Sequence, residues 1–175
     1  LADLIERNGG KAIGTCGQDG HMLKCVPVDD KLGYVGKITE VRTNIISDLL
    51  DLGYVPVIST VGFDDEGHIY NIDADTAAAA IAGALGAESL ILMTDSRGLL
   101  ENKDDPDSLI KKVFVSDIPA LVKQGIISGG MIPKIECCKD AIRRGVKKVF
   151  ITDGRVYHSI LIEILSDEGS GTMFV

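Results

Sequence analysis

Tryptophan is absent from the 175-residue chain, and aromatic residues make up only 5% of it. Isoleucine, leucine, valine, alanine and glycine take their place, a balance that favours layered α/β packing over an all-β sandwich. Positive charge is also scarce: 18 Lys and Arg face 26 Asp and Glu, for a net charge of −8. With no basic stripe to displace counterions, the chain is not expected to bind nucleic acid. No apolar run approaches the roughly 20 residues of a membrane helix, and Leu1-Ala2-Asp3 does not read as a signal peptide. Metal-ligand spacing is missing too. His21, His68 and His158 are scattered, and Cys16, Cys25, Cys137 and Cys138 match no zinc pattern. No metal site is therefore assigned. Adjacent cysteines do not normally bridge, so reduced thiols in a cytoplasmic protein are expected. Neither a Ser-His-Asp nor a Cys-His arrangement can be argued.

What is present is ordinary for a globular protein: 45% hydrophobic and 25% charged residues, enough for one domain with a real core or two small lobes. Strand-like and helix-like segments alternate. Residues 2–8 read as the end of a helix closed by Gly9-Gly10, so the chain reads as a fragment, or as one whose beginning is not seen. Segment 12–15, a turn at Gln18-Asp19-Gly20 and segment 23–28 predict a hairpin. Residues 35–41 are extended, and 44–52 have helical spacing. Val55–Ser59 and 89–93 read as buried strands. Asp75 is expected to cap a helix running to Leu85, with Gly86 just beyond its end. Segment 101–108 is a charged loop. Further helices are predicted from Asp117 to Gly125, over 133–144 and over Ser159–Leu165, with strands over 146–152 and 172–175. This alternation predicts a largely parallel sheet with helices on both faces.

Three segments carry chemistry. Asn71-Ile72-Asp73-Ala74-Asp75 puts amide and carboxylate groups between a strand end and an alanine-rich helix. Open α/β sheets bind ligands at the carboxyl ends of their strands. Asp95-Ser96-Arg97-Gly98-Leu99-Leu100 follows a predicted strand at a similar edge, though Asp and Gly there also suit a plain β-turn. Gly129-Gly130-Met131-Ile132-Pro133-Lys134 places a lysine in a helix's first turn, where the macrodipole disfavours a cation unless an anion is near. Free backbone N–H groups at that helix start would favour a phosphate. Taken together, the segments suit phosphoryl transfer, although no glycine-rich phosphate loop precedes them.

These motifs, with Ile126-Ile127-Ser128 ahead of Gly129 and the tail Asp167-Glu168-Gly169-Ser170-Gly171-Thr172-Met173, closely resemble the acetylglutamate kinases of the amino-acid kinase superfamily. Gly53-Tyr54-Val55-Pro56-Val57-Ile58-Ser59 and Gly33-Tyr34-Val35-Gly36 fit the same pattern, so the resemblance covers essentially the whole chain. It implies an α/β fold, a three-layer αβα sandwich with a mainly parallel central sheet, whose N-terminal part is missing here. It implies that residues 1–86 are the remainder of an acetylglutamate-binding and dimerisation lobe, and 87–175 a nucleotide-binding lobe. The implied reaction is ATP-dependent phosphorylation of the side-chain carboxylate of N-acetyl-L-glutamate, in arginine biosynthesis. Carried over, Asn71 would contact acetylglutamate, Asp75 would orient catalytic lysines, and Lys134 would stabilise charge on the transferring phosphoryl. Asp95, Ser96, Arg97, Gly98, Leu99 and Leu100, with Ile126, Ile127 and Ser128, would line the pocket for ATP, whose Mg2+ would be held mainly by phosphates and water. A homodimer or hexamer, arginine as feedback inhibitor near His158, Glu168 and Gly169, and a PII-type partner are further implications. The family's N-terminal lysine, its two glycine-rich turns and its acetylglutamate-gripping arginine have no counterpart here, so this piece alone is expected to be inactive. Glutamate 5-kinase, aspartokinase and carbamate kinase share the general pattern. An arginine- or PII-responsive binding module is the alternative of another class.

Overall fold

The computed structural model describes residues 1–166 and 169–175. The chain forms two compact units, Leu1–Leu85 and Gly86–Val175. The tail residues Asp167 and Glu168 lie outside the described residues.

The first unit runs α1 (Ala2–Arg7), β1 (Ala12–Cys16), β2 (Leu23–Pro27), β3 (Gly36–Val41), α2 (Asn44–Asp51), β4 (Val55–Ser59), β5 (Val61–Phe63), β6 (Ile69–Asn71) and α3 (Ala74–Leu85). The expected hairpin between the first two strands is not formed. β1 pairs parallel with β4 in a two-stranded sheet, from Ala12 opposite Val55 to Cys16 opposite Ser59, while β2 belongs to a separate sheet of order β3-β2-β5-β6. The turn at Gln18-Asp19-Gly20 carries the chain from one sheet to the other rather than folding it back. Asp19 closes that turn by accepting from the Cys16 backbone N–H at 2.8 Å and from the Thr15 hydroxyl at 2.9 Å.

Met22, Leu23, Cys25, Ile46, Tyr70, Ile72 and Ala77 form the core of this unit. β4 is less buried than its β-branched run suggests: Val55 is 48% exposed, because a two-stranded sheet has little to cover it. α3 holds its place with alanines. Ala77, Ala79, Ala80 and Ala82 are buried, and side chains this small let a helix approach a sheet closely.

The second unit runs β7 (Ser89–Thr94), β8 (Lys112–Val113), α4 (Ile118–Lys123), α5 (Met131–Arg143), β9 (Lys148–Asp153), α6 (Ser159–Leu165) and β10 (Thr172–Phe174). Its sheet has the order β7-β9-β10-β8. β7 and β9 are parallel in register from Ser89 opposite Lys148 to Thr94 opposite Asp153, whereas β10 runs antiparallel to β9. The architecture is thus α/β with mixed sheets. The short tail strand β10 threads between β9 and β8 and runs parallel to β8, so these two strands oppose β7 and β9. α5 presents Ile135, Cys138 and Ala141, spaced by helical turns, as its buried stripe, and both α5 and α6 pack against β9. β7 is only half-buried, with Leu92 at 4% exposure and Met93 at 47%.

Buried polar groups bind the tail. The Glu163 carboxylate, from α6, accepts from the backbone N–H groups of Ser170 (2.8 Å) and Gly171 (2.9 Å) and from the Ser170 hydroxyl (3.0 Å). Gly171 has no room for a side chain, since a Cβ there would overlap the Ile151 carbonyl.

Candidate functional site

In the first unit the candidate residues gather where β6 passes into α3. Asn71 ends β6 and is exposed, its backbone fixed by an N–H bond to the Tyr34 carbonyl at 2.8 Å and by pairing with Val61. The helix cap is not Asp75. Asp73 stands just before α3, and its Oδ1 accepts from the Thr76 N–H (2.9 Å) and the Thr76 hydroxyl (2.8 Å). Read from sequence, Asp73 passes for a solvated turn residue; the helix begins at Ala74, two residues earlier than a cap at Asp75 would place it, and gives Asp73 the capping position. Asp75 lies within the first turn, half-buried, where a carboxylate is favoured by the helix dipole. The capping explanation for Asp75 is thereby removed.

In the second unit the segment after β7 is held by its own hydroxyls. Thr94 Oγ1 accepts from the Ser96 N–H at 2.9 Å, and the Ser96 hydroxyl donates to the Gly98 carbonyl at 3.1 Å. Gly98 has φ +134, and a Cβ on it would lie 2.5 Å from Thr172 Oγ1. Only glycine tolerates both. The closeness is used at the next residue, where the Leu99 N–H donates to Thr172 Oγ1 at 2.9 Å and the same hydroxyl donates to the Ile110 carbonyl at 2.7 Å. Leu99 is buried, while Asp95 and Arg97 remain exposed.

Ile126 and Ile127 follow α4, both N–H groups turning back to the Leu121 carbonyl at 3.0 and 3.3 Å. Ile127 is buried and Ser128 half-buried. α5 begins at Met131, two residues before the expected start, with Gly130 as its N-cap; Lys134 remains in the first turn, half-buried. The expectation of free backbone donors at this helix start needs correction. The N–H groups of Met131 and Ile132 donate to the Ser128 and Gly129 carbonyls, each at 3.2 Å, and Pro133 has no N–H to offer. An anion here would be met by side-chain charge more than by a row of open amides.

Two features were not singled out from sequence. Lys103 sits in the acid-rich loop after Leu100, yet its ammonium donates to the Ser128 hydroxyl at 2.8 Å; nothing in the composition of an exposed charged loop marks that contact. The second is Asp153, the last residue of β9, with Arg155 just beyond it. Asp153 is 7% exposed. Its oxygens accept from Arg155 Nε and Nη2, each at 2.9 Å, and from the Arg155 backbone N–H at 2.9 Å. Those bonds hold its carboxyl at about 2, well below the carboxylate range, with the Arg97 charge adding to the effect. Arg155 Nη2 also donates to the Asp95 carbonyl. The Asp153-Gly154-Arg155 run carries the signal that flagged Asp95, a polar turn directly after a strand. A groove of about 490 Å³ opens beside it, lined by Met93, Arg155, Tyr157 and Ile160 among others. Among the described residues no group of three or more His, Cys, Asp and Glu side chains could hold a metal ion, and no helix is long and apolar enough to cross a membrane.

Each unit thus carries a polar strand-end loop within a mixed α/β sheet, and the second adds a lysine at a helix start, the general class of an α/β protein. The profile of the Amino acid kinase family matches residues 1–153, and the chain belongs to that family. It is 53% identical over 176 residues to the acetylglutamate kinase of Brachyspira hyodysenteriae, an alignment covering 99% of this chain and 61% of that protein. It is 49% identical over 175 residues to the chloroplastic acetylglutamate kinase of Arabidopsis thaliana, covering 99% of this chain and 50% of the relative. Among solved structures, the Streptococcus mutans UA159 protein smu.665 superposes with a TM-score of 0.81 at 29% identity, over 99% of this chain and 64% of that one. The chain spans about three fifths of the length of the first of these relatives and half of the second.

Proposed function

We propose that this chain is part of an enzyme that moves the γ-phosphoryl group of MgATP to the side-chain carboxylate of N-acetyl-L-glutamate, giving an acyl phosphate and ADP. The supporting observation is Lys134, half-buried in the first turn of α5, in a chain that matches acetylglutamate kinases along its whole length. The acceptor carboxylate is already ionised at neutral pH, so the reaction needs no general base, only positioning and charge neutralisation. Lys134 stabilises charge on the transferring phosphoryl group. Asp75 supplies the orienting carboxylate, and Asn71 contacts acetylglutamate. The segment from Asp95 to Leu100, with Ile126, Ile127 and Ser128, receives the nucleotide, and Mg2+ enters with ATP as part of the substrate. Lys103, bonded to Ser128, adds positive charge near that segment. In this reading the first unit is the acetylglutamate lobe and the second the nucleotide lobe.

Assembly as a dimer or hexamer, feedback by arginine and docking of a PII-type protein belong to the same reading and rest on resemblance. Of the three tail positions assigned to arginine, Glu168 lies outside the described residues. His158 precedes α6 at φ 60, and Gly169 has φ 62.

The test is coupled-assay ADP release by a protein carrying this chain, with acetylglutamate beside unacetylated glutamate, aspartate and carbamate. Acetylglutamate is expected to be strongly preferred, and the 175 residues alone to stay at background. Preference for an unacetylated substrate would move the chain to another branch of the family. Turnover by the 175 residues alone would show that no further donors are needed.

A further inference from the structure

Parallel strands of an open α/β sheet deliver their following loops to one edge, and ligands bind there. In the second unit β7 and β9 are such neighbours, with Thr94 opposite Asp153 at their carboxyl ends. The Gly154 N–H donates to the Thr94 carbonyl at 2.8 Å, extending the pairing one step past the strands. Beyond this point a single side chain ties the two loops together. Arg155 grips both oxygens of Asp153 through Nε and Nη2 and reaches across with Nη2 to the Asp95 carbonyl.

The pairing is asymmetric in a useful way. Asp153 is nearly buried and cannot turn to solvent, so its carboxylate fixes the guanidinium plane, and a bidentate fork leaves little rotational freedom. The contact to Asp95 is to its backbone carbonyl. It therefore sets the path of the main chain where the Asp95–Leu100 segment departs from the sheet. The other end of that segment is pinned by Leu99 N–H to Thr172 Oγ1 at 2.9 Å. Between the two pins stand Ser96, Arg97 and Gly98.

We propose that Arg155 is a positioning residue for the nucleotide, holding the main chain at Asp95 so that the Asp95–Leu100 segment is preformed to receive it. The inference rests on the nucleotide role assigned to that segment under Proposed function. Preorganisation of this kind is read in affinity: without the pin, binding must also order the segment.

Calorimetric titration with MgADP and steady-state kinetics test the proposal on a protein carrying this chain, its Arg155→Ala variant and its Arg155→Lys variant. Removing a charge-assisted bond network of this type should weaken MgADP binding and raise the KM for ATP by about tenfold or more. The KM for acetylglutamate should stay within about twofold of the parent, because its proposed contacts lie elsewhere in the chain. Lysine keeps the charge but not the fork, so Arg155→Lys should fall between the two. Equal MgADP affinity in parent and Arg155→Ala overturns the inference and leaves the nucleotide reading standing. Should Arg155→Ala fold poorly, Arg155→Lys decides: melting like the parent with unchanged affinity overturns the inference, and weakened affinity at parental stability supports it. A parent protein that binds no MgADP overturns the nucleotide reading itself, and this inference with it.

Discussion

The two helix starts that carry the candidate chemistry, α3 in one unit and α5 in the other, are built differently. α3 opens on Asp73, whose carboxylate takes the Thr76 N–H and hydroxyl. The next acidic residue, Asp75, stands inside the turn. α5 opens on Gly130, which has no side chain to offer, and closes its first amides on the Ser128 and Gly129 carbonyls. One start is tied by a side chain and the other by tight backbone turning, with Gly129 at φ +56. In both, the charged residue proposed for chemistry is a neighbour of the cap and not the cap itself. In the proposed reading, stability and reactivity fall to different residues at each start, and substitutions can pull them apart.

The largest expected effect comes from α5. Lys134→Ala should lower kcat by roughly 10²-fold or more, the usual scale for losing a charge-stabilising donor in the transition state, while thermal melting shifts little. A kcat near the parental value would remove Lys134 from the chemistry. At α3 the contrast is internal. Asp75→Asn should cost far more activity than stability, measured as kcat and Tm on the same preparations. Asp73→Ala should do the reverse: about 1 kcal/mol of stability for a lost cap, a fall in Tm of about 2–4 °C for a chain of this size, and little change in rate. The opposite pattern would return the cap to Asp75 and leave the site without its carboxylate.

How much of this was legible in the sequence differs between the two levels. Helix positions were largely readable, because Ile45, Ile46, Leu49 and Leu50 in α2, or the glycines closing α2, α3 and α5, act locally. Pairing was not. β1 and β2 are joined by a turn of the right composition for a hairpin, but β1 finds its partner in β4, some forty residues on, and no local signal encodes that choice. Burial of β4 and β7 was overestimated for the same reason, since a β-branched run shows that a strand forms and not how many layers cover it. At the candidate site, residue types and spacing marked Asn71, Asp95 and Lys134. They could not tell which of Asp73 and Asp75 caps, because a two-residue change in the helix start exchanges the two. Arg155 and Lys103 escaped because their contacts join segments far apart in sequence, to Asp95 and to Ser128.

The smallest expected effect compares one carboxylate from each unit. Asp64 plays in the first unit the part Asp153 plays in the second. Burial pushes the Asp64 carboxyl upward, but this is outweighed by bonds from the His68 N–H, the Tyr70 hydroxyl, the His68 ring and the Glu66 N–H, which hold it at about 2. The same contact pushes the Tyr70 phenol up to about 12. Both carboxyls therefore titrate below their ordinary value of 3.8. A depressed carboxyl contributes stability that is fully present above its unfolded pKa and is lost as pH falls through the folded one. The window for both is thus from about 4 down to about 2. Within it the unfolded chain binds protons that the folded chain does not, so stability must fall as pH falls. In urea unfolding followed by circular dichroism across that window, Asp64→Asn should flatten the dependence of unfolding free energy on pH by up to about one proton. Asp153→Asn should flatten it comparably, while also loosening Arg155 at neutral pH. An unchanged slope in Asp64→Asn would mean that the hairpin between β5 and β6 holds its carboxylate less firmly than the turn after β9.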